Sequence, residues 1–416
     1  MTRLVTLAVL YLASVAHAQP ASLGPGVTAP REDQPPVVDV LTFGVGDRIF
    51  EKFGHAAICL RYHDPANRPI CFNYGVTDFT AGPIMIWRFL RSEQRFWVEA
   101  SALGRLWTRG DRSHLAPRVP AAGGGEGRPL GMLGFYSWED RDIWLQTLPL
   151  SAAQARAIEA ALWASLEEHN RFYFYDHFLD NCTTRLRDLI DDAVGGKLRT
   201  GTDHLYPLTF RELGHRGLAE LPPLIVLSDF VMGRQLDDRP TLWQAMFHPD
   251  VLRQRIEVSL GVEPHLIYAR RGPPFPTTGS TGRFGMIVIA LAFTLPLLVA
   301  RWRRRFQRVA LVVATVPLAL WGLAVWSLVV LSPIEGVRWN EVALVVVPFD
   351  AMLPFLGETK RRRYARIRIV MLLLVSALCA VGVLKQPLWI PILTAFMPLA
   401  ILAFELPHGP GARRDA

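Results

Sequence analysis

Cysteine is scarce in this chain. Its 416 residues include four, Cys59, Cys71, Cys182 and Cys379, and no two have the C-x2-C spacing of a metal-ligand pair, so the sequence predicts neither a metal centre nor a cofactor. No internal repeat is visible. A basic surface is missing from the first two thirds of the chain: residues 19–280 hold 28 Lys and Arg against 31 Asp and Glu, a net of about −3 that excludes nucleic acid as a partner. The formal charge of +8 therefore comes from the remainder.

That remainder is rich in long apolar runs. Stretches at 284–300, 309–331, 341–356, 367–384 and 388–404 predict a transmembrane helical domain of about five spans over 282–406, the third being the shortest. Asp350 falls inside this third stretch, near Pro348 and Pro354, which assigns it either a role within the bundle or a place near the membrane end. Alternate loops carry thirteen Lys and Arg against two, an asymmetry that puts residues 19–280 outside the cytoplasm and 407–416 in a cytoplasmic tail. The first residues agree: Arg3, an apolar run from Leu4 to Val15 and the Ala16-His17-Ala18 motif read as a signal peptide over 1–18. Two independent signals thus give one topology, with the domain of residues 19–280 exported.

Within the exported part, the Pro- and Gly-rich segment 19–36 reads as an extended leader and 37–275 as the folded domain. Alternation predicts strands at 38–45, 56–62 and 70–76, the last two forming a hairpin across 63–69. A helical or mixed stretch is expected over 84–99, a Gly-rich loop over 121–131 and a strand over 143–150. Ser151 and Gln154 form a capping-box pattern that opens a helix to about Glu168. Residues 200–280 show no firm period and read as mixed helix and loop.

One short run carries chemistry: Asp180-Asn181-Cys182-Thr183-Thr184-Arg185-Leu186-Arg187-Asp188. Leu186, Leu189, Ile190 and Val194 recur at helical spacing, and Asp180 or Asn181 can cap, so Cys182 falls in a first turn. There the dipole and unpaired N–H groups favour a thiolate and can hold an oxyanion. A packed core thiol is the bland alternative. Arg185 and Asp188 lie one turn apart and could pair across the helix surface. Of nine exported histidines, His55 is singled out by its place at the entry of a strand. With the hairpin turn centred near Pro65, Cys59 faces Cys71, His55 faces Gly75, and Asn73 is diagonal to His55, able to orient its ring. The same register leaves Cys59 and Cys71 either core residues or a cross-strand disulfide. Tyr173 and Tyr175 either line a groove beside the cysteine or pack.

Taken together, Glu51-Lys52-Phe53-Gly54-His55-Ala56-Ala57, Asn73-Tyr74-Gly75, Tyr173-Phe174-Tyr175-Asp176 and the run from Asn181 to Asp188 resemble the periplasmic domain of the bacterial lipoprotein N-acyltransferase family called Lnb. The likeness spans roughly 35–270 and extends to the multi-spanning tail, including Trp339-Asn340. His before Cys, with Asn immediately before the Cys, is also similar to the circularly permuted NlpC/P60 papain-like fold of lecithin retinol acyltransferase-type enzymes. The fold expected is therefore α+β: a permuted papain-like domain followed by the membrane helices.

The resemblance implies Cys182 as nucleophile and His55 as base, with Asn73 where those acyltransferases commonly carry a third His. Asn181, Tyr74, Tyr175, Arg185 and Asp188 are the supporting or substrate-binding positions. It also implies an enzyme that moves an acyl chain from a phospholipid, through a Cys thioester, to the N-terminal amine of a diacylglyceryl-lipoprotein. Two alternatives accompany it: a cysteine hydrolase acting on peptidoglycan or lipid, and a non-catalytic membrane receptor or transporter subunit.

Overall fold

In the hairpin strands nearly every side chain is buried, on both faces, and this is the pattern of a sheet covered from two sides. A computed structural model describes residues 20, 22–24, 26–47, 51–78, 83–107, 131–278 and 283–404. The signal-peptide residues, the Gly-rich tract up to 130 and the expected cytoplasmic tail lie outside the described residues. The chain divides into two units, residues 1–217 with 239–277, and residues 218–238 with 278–416.

The first unit is built on a seven-stranded antiparallel sheet. Its strands are β1 (Val37–Phe43), β2 (His55–Arg61), β3 (Ile70–Val76), β4 (Arg95–Ala102), β5 (Ile143–Thr147), β6 (Phe172–Phe174) and β7 (His265–Tyr268), in the order β6-β4-β3-β2-β1-β5-β7. Even-numbered residues of the hairpin, Ala56, Ile58, Leu60, Ile70, Phe72 and Tyr74, share one core with Val38 and Val40 of β1. On this face lie three helices, which the same core reaches through Ile158 and Leu162, Leu186 and Ile190, and Val251 and Ile256. Odd-numbered residues Leu41, Phe43, Ala57, Cys59 and Cys71 form a second core with Met132, Phe135 and Tyr136.

The hairpin strands begin and end within a residue of their expected bounds. The 84–99 stretch is mixed: it divides into α1 (Pro83–Leu90) and β4, separated by a turn in which Ser92 adopts φ 54°. Thr77 fastens this turn, its hydroxyl accepting from Gln94 Nε2 and donating to Arg95 O, both at 2.7 Å. Past the Gly-rich tract comes α2 (Met132–Trp138), then α3 (Ala152–Ala164) with the Ser151/Gln154 capping box formed. The cysteine helix is α4 (Cys182–Ala193). In the aperiodic 200–280 region, α5 (Pro249–Leu260) starts at a His248 cap with Pro249 in its first turn and stops at Gly261 in the left-handed conformation, φ 68°.

The second unit holds two helices long and apolar enough to cross a membrane, α6 (Arg283–Trp302) and α7 (Gln307–Leu331). Five were expected. The third stretch is two short 3-10 segments, Glu341–Leu344 and Pro348–Phe355, because Pro348 and Pro354 lack the N–H that a continuous helix needs. α8 (Glu358–Ala380) starts earlier than expected, so its first three turns carry Lys360, Arg361, Arg362, Arg363, Arg366 and Arg368. At 15 residues, α9 (Trp389–Ala403) reaches about 22 Å, short of a ~30 Å hydrocarbon core. Asp350 is buried, accepts from Tyr364 Oη at 2.7 Å and pairs with Arg368 at 3.1 and 3.2 Å. Residues 218–238 pack with this unit: Asn340 Nδ2 donates to Phe230 O and Val231 O, and Gln386 Nε2 to Met232 O.

Candidate functional site

Asn181 starts the site. Its Oδ1 accepts from Thr183 N and Thr184 N at 2.9 Å each, while Thr184 Oγ1 accepts from Asn181 N at 2.8 Å, closing a capping box. The amide of the same side chain donates to His177 O and Phe247 O at 2.8 and 3.0 Å. One residue thus caps α4 and ties its start to two loops. Leu186 and Ile190, fully buried on the sheet, hold the rest of the helix.

Cys182 sits at the first helical position, 7% exposed. Burial raises the pKa of its thiol, but the charge and hydrogen bond of His55, the Ala56 N–H and the Thr183 hydroxyl together outweigh burial and bring it down to about 7. The Thr183 hydroxyl lies 3.7 Å from the sulfur. Among the first-turn amides, two serve the cap. The expectation that several N–H groups there could hold an oxyanion narrows to the Cys182 N–H.

His55 opens β2 after Gly54, which adopts φ 74°; a Cβ on Gly54 would stand 2.9 Å from Phe43 O, so only glycine fits this turn. The imidazole Nε2 and Asn73 Oδ1 are 2.6 Å apart. Since that oxygen is an acceptor, Nε2 carries the hydrogen and Nδ1 is left as the basic nitrogen facing the thiol. The rings of Phe43 and Tyr136 lie near-parallel to the imidazole, each 6.0 Å away.

Register explains how thiol and imidazole meet. Cys59 pairs with Cys71, as expected, and the two are joined by a disulfide. His55 does not pair with Gly75: the β2–β3 ladder runs only from Leu60/Ile70 to Ile58/Phe72, and Gly75, at φ 88°, falls where β3 shifts register against β4. The strands part there. Ala56 N–H is freed to face the Cys182 sulfur, and a Cβ on Gly75 would lie 3.8 Å from Cys182 Cβ.

The supporting residues separate. Arg185 does not pair with Asp188; it makes a two-pronged pair with Asp180 at 2.7 and 2.8 Å and lies 3.7 Å over the Tyr173 ring. Asp188 pairs instead with Arg187, whose guanidinium covers Trp243. Tyr175 stacks on Phe96 at 4.5 Å, and Tyr74 is buried in the core on the helix-covered face. Tyr136 has no sequence signal, and although Ala56 and Gly75 fall within the quoted motifs, nothing in the sequence shows that they meet the thiol, since packing of separate strands and helices brings them there. Among the described residues, no group of three or more His, Cys, Asp or Glu could hold a metal.

The first unit is therefore a mixed α/β domain in which a thiol at a helix start meets an oriented imidazole at an opening in an antiparallel sheet. Residues 132–216, which include Tyr136, Tyr173 and Cys182 but neither His55 nor Asn73, match the family model of the Lnb N-terminal periplasmic domain. The match supports a place with the Lnb family, and together with the two apolar helices it is consistent with a membrane protein carrying a periplasmic domain. No curated protein and no solved structure matches the chain.

Proposed function

We propose that the protein is a membrane-anchored thiol acyltransferase of the inner membrane, its domain a permuted papain-like one on a multi-spanning anchor. The acyl chain of a phospholipid passes through Cys182 to the N-terminal amine of a diacylglyceryl-lipoprotein. The observation that carries this reading is a thiol with a pKa of about 7 beside an imidazole that Asn73 holds through Nε2, in the segment similar to the Lnb domain.

Cys182 gives its proton to His55 Nδ1 and attacks the ester carbonyl carbon. The tetrahedral intermediate collapses, the lysophospholipid oxygen leaves with the proton from His55, and an acyl thioester remains. The lipoprotein amine then attacks the thioester, His55 takes its proton, and the Cys182 sulfur leaves. An ester and an amine have become an alcohol and an amide. Anchoring the domain to the membrane that holds both substrates raises their effective concentration.

Intact-mass analysis of a lipoprotein N-terminal peptide tests this reading in cells that lack other N-acyltransferases. Cells with the protein should yield the peptide heavier by one acyl chain. Peptides of equal mass with and without the protein would refute it, and free fatty acid released in place of the amide would favour the hydrolase.

A further inference from the structure

The cap leaves the thiol short of oxyanion donors. Thr183 N and Thr184 N are held by Asn181 Oδ1, and Arg185 N donates to Asn181 O within the helix. The Cys182 N–H remains, since the Ala56 N–H is engaged by the sulfur itself. A developing oxyanion is stabilised most by several donors fixed in advance, so a second donor is to be sought beside the sulfur.

Gly75 opens the space in which to look. A Cβ there would stand 3.8 Å from Cys182 Cβ, 3.8 Å from the Tyr175 ring and 3.9 Å from the Tyr173 hydroxyl oxygen. That hydroxyl thus borders the same small gap as the cysteine. It is buried, on a side chain 8% exposed; its oxygen is approached by the Gly75 N–H, but its own hydrogen finds no acceptor among the described residues. A buried hydroxyl whose hydrogen has no acceptor calls for an explanation.

The ring is fixed in place. Arg185 covers one face at 3.7 Å, Asp180 holds Arg185 by two hydrogen bonds, and Tyr173 pairs with Phe96 in the β4–β6 ladder. Its hydroxyl needs no reorganisation to act. Burial pushes the phenol well above its usual pKa, so it stays a donor throughout the pH range in which the thiol ionises.

We propose that Tyr173 is a catalytic residue whose hydroxyl, with the Cys182 N–H, donates a hydrogen bond to the acyl carbonyl oxygen as the sulfur adds to the carbonyl carbon. The inference rests on the acyl-transfer reading above. When the S–C bond forms, the carbonyl π pair moves onto that oxygen; when the leaving oxygen departs, the pair returns to re-form C=O. The phenol keeps its proton throughout. The same donors serve the second half-reaction, in which the amine adds to the thioester and the sulfur leaves.

Tyr173→Phe removes one oxygen and keeps the ring under Arg185. Full-length wild type and variant in detergent are compared in three measurements: acylation of Cys182 by a p-nitrophenyl acyl ester, alkylation of Cys182 by iodoacetamide across pH, and thermal unfolding. The ester's leaving group needs no proton, so its reaction isolates oxyanion stabilisation; alkylation at a saturated carbon develops no oxyanion. The expected result is acylation slower by about 100- to 1000-fold, with alkylation rate and pH midpoint unchanged and thermal stability equal or higher. Equal acylation rates would overturn the inference, as would a parallel loss of acylation and alkylation, which marks a structural role. If wild-type Cys182 is alkylated but never acylated, the acyl-transfer reading itself fails and takes this inference with it.

Discussion

With its pKa brought to about 7, Cys182 is about half ionised at neutral pH, and His55 is the largest of the groups that bring it down. Alkylation of Cys182 should therefore rise with pH around a midpoint near 7. In His55→Ala the opposing effect of burial is left with less to offset it, and the midpoint should move above that of an ordinary thiol. A His55→Ala midpoint that stays near 7 would show that the imidazole does not set the ionisation. Asn73→Ala takes the acceptor from Nε2 without touching the thiol; acyl transfer should fall about tenfold to a hundredfold, as for other groups that orient a catalytic ring. Full activity in that variant would remove Asn73 from the site.

Helix α4 is positioned by its cap as much as by its apolar face. Asn181→Ala should lose about 1 kcal/mol of stability from the cap alone, and more from the severed ties to His177 O and Phe247 O, read as a lowered unfolding midpoint. Asn181→Asp keeps the acceptor for Thr183 N and Thr184 N but adds a negative charge beside the sulfur; its alkylation midpoint should rise, and an unchanged midpoint would contradict the electrostatic account. The helix, its cap and the hairpin face shared by His55, Cys59, Cys71 and Asn73 were legible in the sequence, because periods of 3.6 and 2 and a capping residue are local signals. The division of 84–99 was not, since Ser92 in the left-handed region leaves no signature of the kind glycine does. Three-residue β6 is too short to show a period. The opening between β2 and β3 depends on the start of α4 lying against Gly75, a contact between segments more than a hundred residues apart.

At the scale of the molecule, hydropathy located apolar sequence but not its conformation. The stretch around Asp350 is apolar enough for a span, yet two prolines break it into 3-10 segments whose carboxylate meets Arg368. Asp350→Asn leaves that guanidinium without its charge partner and should destabilise the second unit by about 3–5 kcal/mol, whereas Asp350→Asn with Arg368→Met should recover part of the loss. Thermal unfolding in detergent reads both, and a neutral single variant would contradict a structural pair. The central claim concerns the first unit, and an acyl-enzyme tests it most directly. Purified protein incubated with phospholipid alone, then analysed by intact mass, should gain one fatty acyl chain on Cys182, labile to neutral hydroxylamine and discharged onto the amine of an added diacylglyceryl-lipopeptide. Absence of any adduct, with acyl transfer seen only when both substrates are present together, would contradict the thioester mechanism.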